Sequence, residues 1–341
     1  MKRLYRNVVL SILTALSAPL LSYSQVTKVG TTAASFLEIP VGARAVAMGG
    51  AFAAVSDDAS AMYWNPSGIA RLTQSDAIFS HAAWIADISF NYGGIAIPLG
   101  ENGTVGFNFT SLTMDDMERT TEDQPEGTGE TFSAGSYAVG VAYARNLTDW
   151  FSIGANIKYI NEYIWNESAT TFGLDIGTLF TTPFPGVKLG AGMVNIGQKL
   201  HIQGADLLVQ KDITPINGNN PDINANLVTD EFDLPLTLRI GLAYEPLATE
   251  NQHFTLAVDA LHPNNNSESV NVGMEYTGVQ NILAVRAGYT ALGQKNSEET
   301  FSLGGGLHYK MENNIVVKFD YAFQDFGRLQ NVHKFTVGIG F

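Results

Sequence analysis

The 341-residue chain contains no cysteine, which excludes a disulfide framework and any thiolate metal site or nucleophile. Basic residues are scarce, 19 Lys and Arg against 33 Asp and Glu. Setting aside Lys2, Arg3 and Arg6 of the N-terminus leaves 16 against 33, a balance of about −17. Nucleic acid, whose phosphates need basic contacts, is therefore not an expected partner. Long apolar runs are also lacking beyond residue 24, so helices are not expected to carry the chain across a membrane. The six histidines, His81, His201, His253, His262, His308 and His333, are scattered and lack metal-site spacing such as H-E-x-x-H. Gly304-Gly305-Gly306 falls inside a strand pattern and reads as close packing or a strand bend, not as a phosphate loop. An acidic stretch from Asp115 to Glu130 lacks the regular oxygen spacing of an EF-hand and reads as a solvated loop. No catalytic, cofactor-binding or metal-binding constellation emerges, and the chain is expected not to be an enzyme.

What is present begins with residues 1–24. Lys2, Arg3 and Arg6 precede a mostly apolar run, Val8 to Leu21, broken at Pro19, and small residues Ser22 and Ser24 follow. This pattern predicts a secretory signal peptide cleaved between Ser24 and Gln25. From residue 75 onward the chain breaks into short alternating segments separated by turn residues. They predict strands near 75–84, 87–98, 103–114, 131–145, 150–164, 168–181, 186–196, 233–246, 251–261, 268–277, 281–290, 300–310, 313–323 and 332–341. Fourteen is an even number, and most are near the ~9–11 residues that cross a bilayer as a tilted strand.

The last strand shows the pattern most plainly. Phe335, Val337, Ile339 and Phe341 alternate with Lys334, Thr336, Gly338 and Gly340, so one face is wholly apolar. A chain stopping on such a strand resembles the closing strand of a bacterial outer-membrane barrel. Elsewhere Arg239, Asp259, Glu275, Arg286, Lys318 and Asp320 each oppose an apolar face. A lipid-facing Arg or Lys costs ~2–4 kcal/mol at the midplane, whereas a lumen charge stays solvated or paired. Alternation alone does not say which face is which; turn length does. Tight connections near 101–102, 146–149, 182–185, 249–250, 278–280 and 311–312 alternate with longer ones at 115–130, 197–232, 262–267, 291–299 and 324–331. Short turns on one rim and long loops on the other are the sidedness of an outer-membrane barrel. The expected fold is all-β: a 14-stranded antiparallel transmembrane β-barrel over 73–341, integral to a bacterial outer membrane and surrounded by its lipid and lipopolysaccharide.

Residues 25–72 do not read as strands. Asp57 or Asp58 is placed to cap a short helix through Trp64, because a carboxylate accepts the free amides of a first turn. Asn65-Pro66-Ser67-Gly68 should end it. The abundant Gly and Ala suit tight packing, and a plug or hatch inside the barrel is the favoured reading over a helix lying against one rim. The stretch Gly42-Ala43-Arg44-Ala45-Val46-Ala47-Met48-Gly49-Gly50-Ala51-Phe52, then Asp57-Asp58-Ala59 and Trp64-Asn65-Pro66-Ser67-Gly68, resembles the N-terminal signature of the PorV/PorQ family. Its members resemble FadL-type fatty-acid transporters, which are 14-stranded barrels with an N-terminal plug.

This resemblance implies a role in the type IX secretion system of Bacteroidetes-like bacteria. The implied partners are the outer-membrane translocon, the C-terminal sorting domains of exported cargo, and cell-surface attachment-complex proteins. The family-motif residues it singles out are Gly42, Arg44, Gly49, Gly50, Asp57, Asp58, Trp64, Asn65, Pro66 and Gly68, with a role in holding the plug. The alternatives are a FadL-like transporter of hydrophobic small molecules, for which the inward faces give no clear apolar pocket although the plug could line one, and a structural barrel with no transport role. The long connection from Gly197 to Asp233 holds Ile202, Leu207, Leu208, Val209, Ile213, Ile216, Ile223 and Leu227. A loop this long and this apolar is expected to fold over the barrel mouth, either as a protein-contact surface or as a seal.

Overall fold

The computed structural model describes residues 28–212, 222–294, 297–311, 314–329 and 331–341. The N-terminal run read as a signal peptide and its cleavage point lie outside them, as do Ile213, Ile216 and Glu312. Fourteen strands close into one antiparallel barrel. They are β1 (Asp76–Ala83), β2 (Ser89–Pro98), β3 (Thr104–Thr113), β4 (Ala134–Thr148), β5 (Phe151–Ile164), β6 (Glu167–Thr181) and β7 (Val187–Gly197). The second half comprises β8 (Thr237–Ala248), β9 (His253–Pro263), β10 (Ser269–Gly278), β11 (Leu283–Leu292), β12 (Phe301–Lys310), β13 (Val316–Gln324) and β14 (Val332–Gly340). Each strand pairs with its sequence neighbours, and β14 pairs back onto β1 with Phe335 opposite His81 and Gly340 opposite Asp76. Closure leaves no unpaired sheet edge in the wall, the condition for strands to cross a bilayer.

The two faces part as the alternation requires. Phe335, Val337, Ile339 and Phe341 point outward and are exposed, while Lys334 and Thr336 between them are buried. On β8, Ile240, Leu242 and Tyr244 are exposed and Arg239 and Ala243 buried. The exposed face is the apolar one and the charges turn in. A water-soluble barrel would show the reverse. Tight turns occupy one rim and the longest loops the other, but the alternation is not strict: on the long-loop rim the connections at 84–88 and 264–268 are no longer than the turn at 99–103 opposite. Two residues alone, Trp165 and Asn166, join β5 to β6 on the long-loop rim. Strands β4, β5 and β6 are 15, 14 and 15 residues long, roughly 4 more than a bilayer needs. A long loop is not required there because the strands themselves extend the rim.

Residues 33–72 run through the lumen. Ala33 N donates to Asp233 O (3.0 Å) and Ala34 N to Glu162 Oε2 (3.0 Å), both near the long-loop rim. Further on, Ala43 N donates to Thr336 Oγ1 (2.8 Å) and Gly49 N to Ser302 Oγ (3.0 Å). Arg71 Nη1 then reaches the Asp149 carbonyl (2.8 Å) in the tight turn between β4 and β5, at the opposite rim. The segment forms a five-residue helix α1 (Ala43–Ala47), a one-turn helix α2 (Ala61–Trp64) and a 3₁₀ turn over Pro66–Arg71. Such short helices have no intrinsic stability in water. They are held by burial, since Val41, Met48, Phe52, Met62 and Ile69 are fully enclosed.

Strand glycines make that fit. A Cβ on Gly288 would collide with the backbone of Met48 and Gly49, and one on Gly190 with the backbone of Ala53. Within the glycine triplet, Gly304 faces the Ala47 methyl and Gly306 the Asp320–Arg286 pair, both close approaches that a Cβ would block, while Gly305 between them has ordinary room. The turn after α1 uses Gly49 (φ +65°) and Gly50 (φ +73°), a conformation that disfavours any side chain.

Candidate functional site

The short-turn half of the lumen holds a charged cavity of about 350 Å³, lined by Arg44, Asp57 and Asp58 of the N-terminal segment and by Glu275, Lys318 and Asp320 of the wall, among others. Arg44 sits at its centre, one residue into α1. Its Nε and Nη2 donate to Glu275 Oε2 and Oε1, both at 2.8 Å, a bidentate pairing. Nη1 donates to Asp57 and, at 3.4 Å, to Asp58 Oδ2. The guanidinium also lies 5.3 Å from the Phe52 ring centroid. Burial works against the Arg44 charge, but Asp57, Glu275 and Asp58 outweigh it and hold the guanidinium firmly protonated.

From Glu275 the network passes along the wall. Arg286 Nε donates to Glu275 Oε2 (2.5 Å) and its Nη1 to Asp320 Oδ1 (2.6 Å), and His308 Nε2 lies 3.3 Å from the same oxygen. Lys318 Nζ donates to Asp76 Oδ1 (2.7 Å), whose other oxygen accepts the Ala59 amide (2.8 Å). Segment and wall are thus tied by charge across β1, β10, β11 and β13.

Asp57 and Asp58 do not cap a helix as expected. Ser60 occupies the cap position of α2 and makes no side-chain cap bond, while Asp58 Oδ1 accepts the Ser60 amide and hydroxyl in the turn before it. Arg44 draws the free oxygens of both carboxylates, an ion pair that a surface helix would not offer. Burial pushes the Asp58 carboxyl above its usual range, with Arg44 opposing and Asp57 and Asp76 adding to the rise.

The remaining motif residues lie in the same segment. Gly42 (φ +78°) opens α1 against Ser60. Trp64 Nε1 donates to the Val41 carbonyl (3.0 Å), and the indole meets Phe52 and Tyr63 edge-on. Asn65, fully buried, ends α2: its Nδ2 donates to Ala53 O (2.8 Å) and to Thr178 O of β6 (3.0 Å), and its Oδ1 accepts from Ser67. Pro66 starts the 3₁₀ turn, and Gly68 passes so close to Ser56 O that a Cβ would not fit. Gly50 packs beside Trp64 and Asn271.

Sequence reasoning placed Glu275, Arg286, Lys318 and Asp320 on the inward face without grouping them. Their signal was a charge on a strand whose other face is apolar; their partners are up to 242 residues away in the chain.

The long-loop half differs. Arg239 stacks 4.9 Å from the Trp64 ring and 5.3 Å from Tyr63, and its Nε and Nη1 have no hydrogen-bond partner among the described residues. Asp259 Oδ2 accepts the amides of Phe52 (2.9 Å) and Ala53 (2.8 Å). Nearer the rim, Asn265 Nδ2 donates to Glu38 at 3.1 Å. Burial raises the Glu38 carboxyl, with Asn265 and Arg239 opposing. Burial also lifts Glu299, in the loop before β12, to about 6, with Lys334 opposing and Glu38 adding.

The long connection between β7 and β8 is tied down at both ends. Leu200 pairs with Phe232, Leu200 and Leu234 are buried with Phe36 and Leu37, and Gln203–Gly204 pairs with the start of β6. Its middle is a ladder of Leu208–Asp212 against Asp222–Asn226, on which Leu208 and Ile223 are exposed, with Leu227 and Val228 just beyond it exposed as well, Val228 to 96%. The acidic loop from Asp115 to Glu130 is crossed by an Arg119–Glu130 pair (2.6 Å) and is largely exposed.

Comparison with known proteins agrees with this architecture. A UPF0164 protein of Treponema pallidum (strain Nichols) is 24% identical over 251 residues, 61% of this chain and 75% of that protein. A Pseudomonas aeruginosa FadL homologue shares the fold with a TM-score of 0.50 at 11% identity, covering 86% of this chain and 96% of the homologue. The CymD monoaromatic hydrocarbon channel gives 0.55 at 14%, covering 89% and 97%. The molecule shares the FadL-like barrel fold, and its closed wall with an apolar outer face is that of an integral outer-membrane barrel. The family model described as type IX secretion system protein PorV matches residues 22–260, more than half of the sequence, and the chain therefore belongs to the PorV family of type IX secretion system proteins.

Proposed function

We propose that this barrel serves type IX secretion as a translocon-associated shuttle, receiving exported cargo by its sorting domain and passing it to attachment proteins on the cell surface. In this reading residues 25–72 act as a plug, and the mature chain starts at Gln25 after signal-peptide removal. The observation that carries the reading, beside family membership, is the contrast between lumen and rim. The lumen is occupied by the N-terminal segment and by ion pairs. The long-loop rim presents exposed Leu208, Ile223, Leu227 and Val228 on and just beyond an anchored ladder. A transporter of hydrophobic molecules needs a mostly apolar pocket, and the cavity at the short-turn end is instead walled by charge.

The test is deletion of the gene in its host, with sorting-domain cargo quantified on the surface, in the medium and in the periplasm. Periplasmic retention or unattached release, with other barrels intact, supports the shuttle and locates its step. Normal cargo distribution together with impaired uptake of long-chain fatty acids would replace it by FadL-like transport. Excising 203–228 from a barrel that still assembles should abolish partner capture; unchanged capture removes the rim from the account. N-terminal sequencing of protein extracted from the outer membrane checks the Gln25 start.

A further inference from the structure

Beyond the secretion role, we propose that the N-terminal arm, residues 28–39, clasps the base of the β7–β8 connection, so that the ladder outside and the segment in the lumen loosen and tighten as one unit. The arm lies at the long-loop rim, which is the cell-surface rim of outer-membrane barrels.

Three observations carry the clasp. The first is backbone pairing. Leu200 and Phe232 exchange both hydrogen bonds (2.8 and 2.9 Å), which draws the two legs of the connection together at its base. The next residue, Asp233, pairs in parallel with Thr32, and its carbonyl accepts the Ala33 amide (3.0 Å). The arm is thus the third member of the junction that closes the connection.

The second is packing. Leu200 and Leu234, one on each leg, share a buried cluster with Phe36 and Leu37 of the arm, and all four are at most 5% exposed. A 3₁₀ turn over Ser35–Glu38 presents Phe36 and Leu37. The chain enters that turn through Ala34 at φ +53°, uncommon for a residue with a Cβ. The corner is fixed from both sides, by the Ala33 amide on the connection and by the Ala34 amide on Glu162 of β5 (3.0 Å).

The third is an anchor that belongs to the arm. Asn265, in the loop after β9, donates from Nδ2 to Thr32 Oγ1 (2.9 Å) and to Glu38 (3.1 Å), so its side chain grips the arm and not the connection. The wall holds the connection on either side of the junction: Thr171 Oγ1 donates to Gln198 O (3.2 Å), Asn264 Nδ2 to Leu234 O (2.9 Å) and Asn195 Nδ2 to Pro235 O (3.0 Å). The ladder is carried between the two legs, so a displacement of it pulls on residues 32–37. Such coupling is reciprocal: whatever seats on the ladder alters the hold on the segment, and loosening of the segment is felt at the surface by the same factor. It does not depend on what the ladder meets, and stands or falls apart from the shuttle reading.

The test is hydrogen exchange of the full-length barrel in detergent, read at the amides of Ala33 and Leu37 in the arm and of Leu200 and Phe232 in the connection. Phe36→Ala should speed exchange at Leu200 and Phe232 at least about tenfold, and Leu200→Ala should do the same at Ala33 and Leu37, as truncation of a buried side chain at a shared contact implies. Amides that pair β1 with β14 should keep their protection. Asn265→Ala removes hydrogen bonds of the arm alone and should speed exchange at Leu200 and Phe232 about threefold or more; it decides the matter if Phe36→Ala fails to assemble. Faster exchange at Ala33 and Leu37 in Asn265→Ala, with Leu200 and Phe232 unchanged, overturns the proposal, since the wall alone would then hold the connection. So does Leu200→Ala that leaves Ala33 and Leu37 unchanged, or a rise that extends equally to the β1–β14 amides and marks loosening of the whole barrel.

Discussion

Two arginines project from the barrel wall into the same lumen and are satisfied in opposite ways. Arg286 lies between carboxylates, with Glu275 at 2.5 Å and Asp320 at 2.6 Å, and its Nη2 alone lacks a hydrogen-bond partner among the described residues. Arg239 lies against the rings of Trp64 and Tyr63, with its Nε and Nη1 lacking a hydrogen-bond partner among the described residues. The first kind of site is strongly interdependent: one carboxylate, Glu275, serves both Arg44 on the segment and Arg286 on the wall, so its removal takes a partner from two cations at once. The second rests on dispersion and ring electrostatics, which tolerate replacement by a flexible apolar side chain. The N-terminal segment is accordingly gripped by charge toward the short-turn end and by packing toward the long-loop end.

The largest effect should follow from Glu275→Ala. Breaking a buried pair by removing one partner costs about 3–5 kcal/mol, and here two guanidinium groups lose a partner. Unfolding of the purified barrel, followed by its heat-dependent electrophoretic shift, should show a loss in that range. A loss below about 1 kcal/mol would mean that water already screens the network and would erase the contrast.

Next in size is Gly288→Val, which forces side-chain atoms into the backbone of Met48 and Gly49. Overpacking of this kind costs about 1–3 kcal/mol. Its signature is cleavage within 28–72 by added protease while the barrel itself stays resistant. A resistant segment would show that the close approach is not needed to hold it.

The two ends should also respond differently to pH. Glu38 and Glu299, at the long-loop end, bind their protons more tightly in the folded protein than their ordinary value of 4.5, Glu299 at about 6. The contribution of Glu299 to stability is therefore complete below about 4.5 and is lost as pH rises through about 6, and Glu38 acts in the same direction. Hydrogen exchange of residues 33–41, corrected for the intrinsic pH dependence, should be slower at pH 5 than at pH 7.5. Equal protection at both values would contradict the burial of these carboxyls.

The smallest effect is expected from Arg239→Met. It keeps a side chain against Trp64 and removes two buried donors without partners, so stability should change by less than about 1 kcal/mol in either direction. A loss approaching that of Glu275→Ala would place Arg239 in the same class as Arg286 and dissolve the comparison.

Several features were legible before any coordinates because they depend only on what neighbours in sequence do. A period of two sends Phe335, Val337, Ile339 and Phe341 to one face whatever the partner strand. The strand count and the two unequal rims follow from turn residues. The segment around Gly42 to Gly68 was legible as non-strand and tightly packed, from its small residues and its Asn-Pro break.

What tertiary structure decided is which charge meets which. Asp57 and Asp58 looked like helix caps, since a cap needs only residues within one turn. They turn instead to Arg44, which in turn reaches Glu275, 231 residues away. That meeting exists only after β14 has paired with β1 and the segment has been enclosed. By itself the sequence determined the barrel and the polarity of its faces, because both are properties of a single strand and its turns. The pairing of charges inside the lumen was left to closure of the sheet, because it depends on the register and distance of residues that no local rule connects.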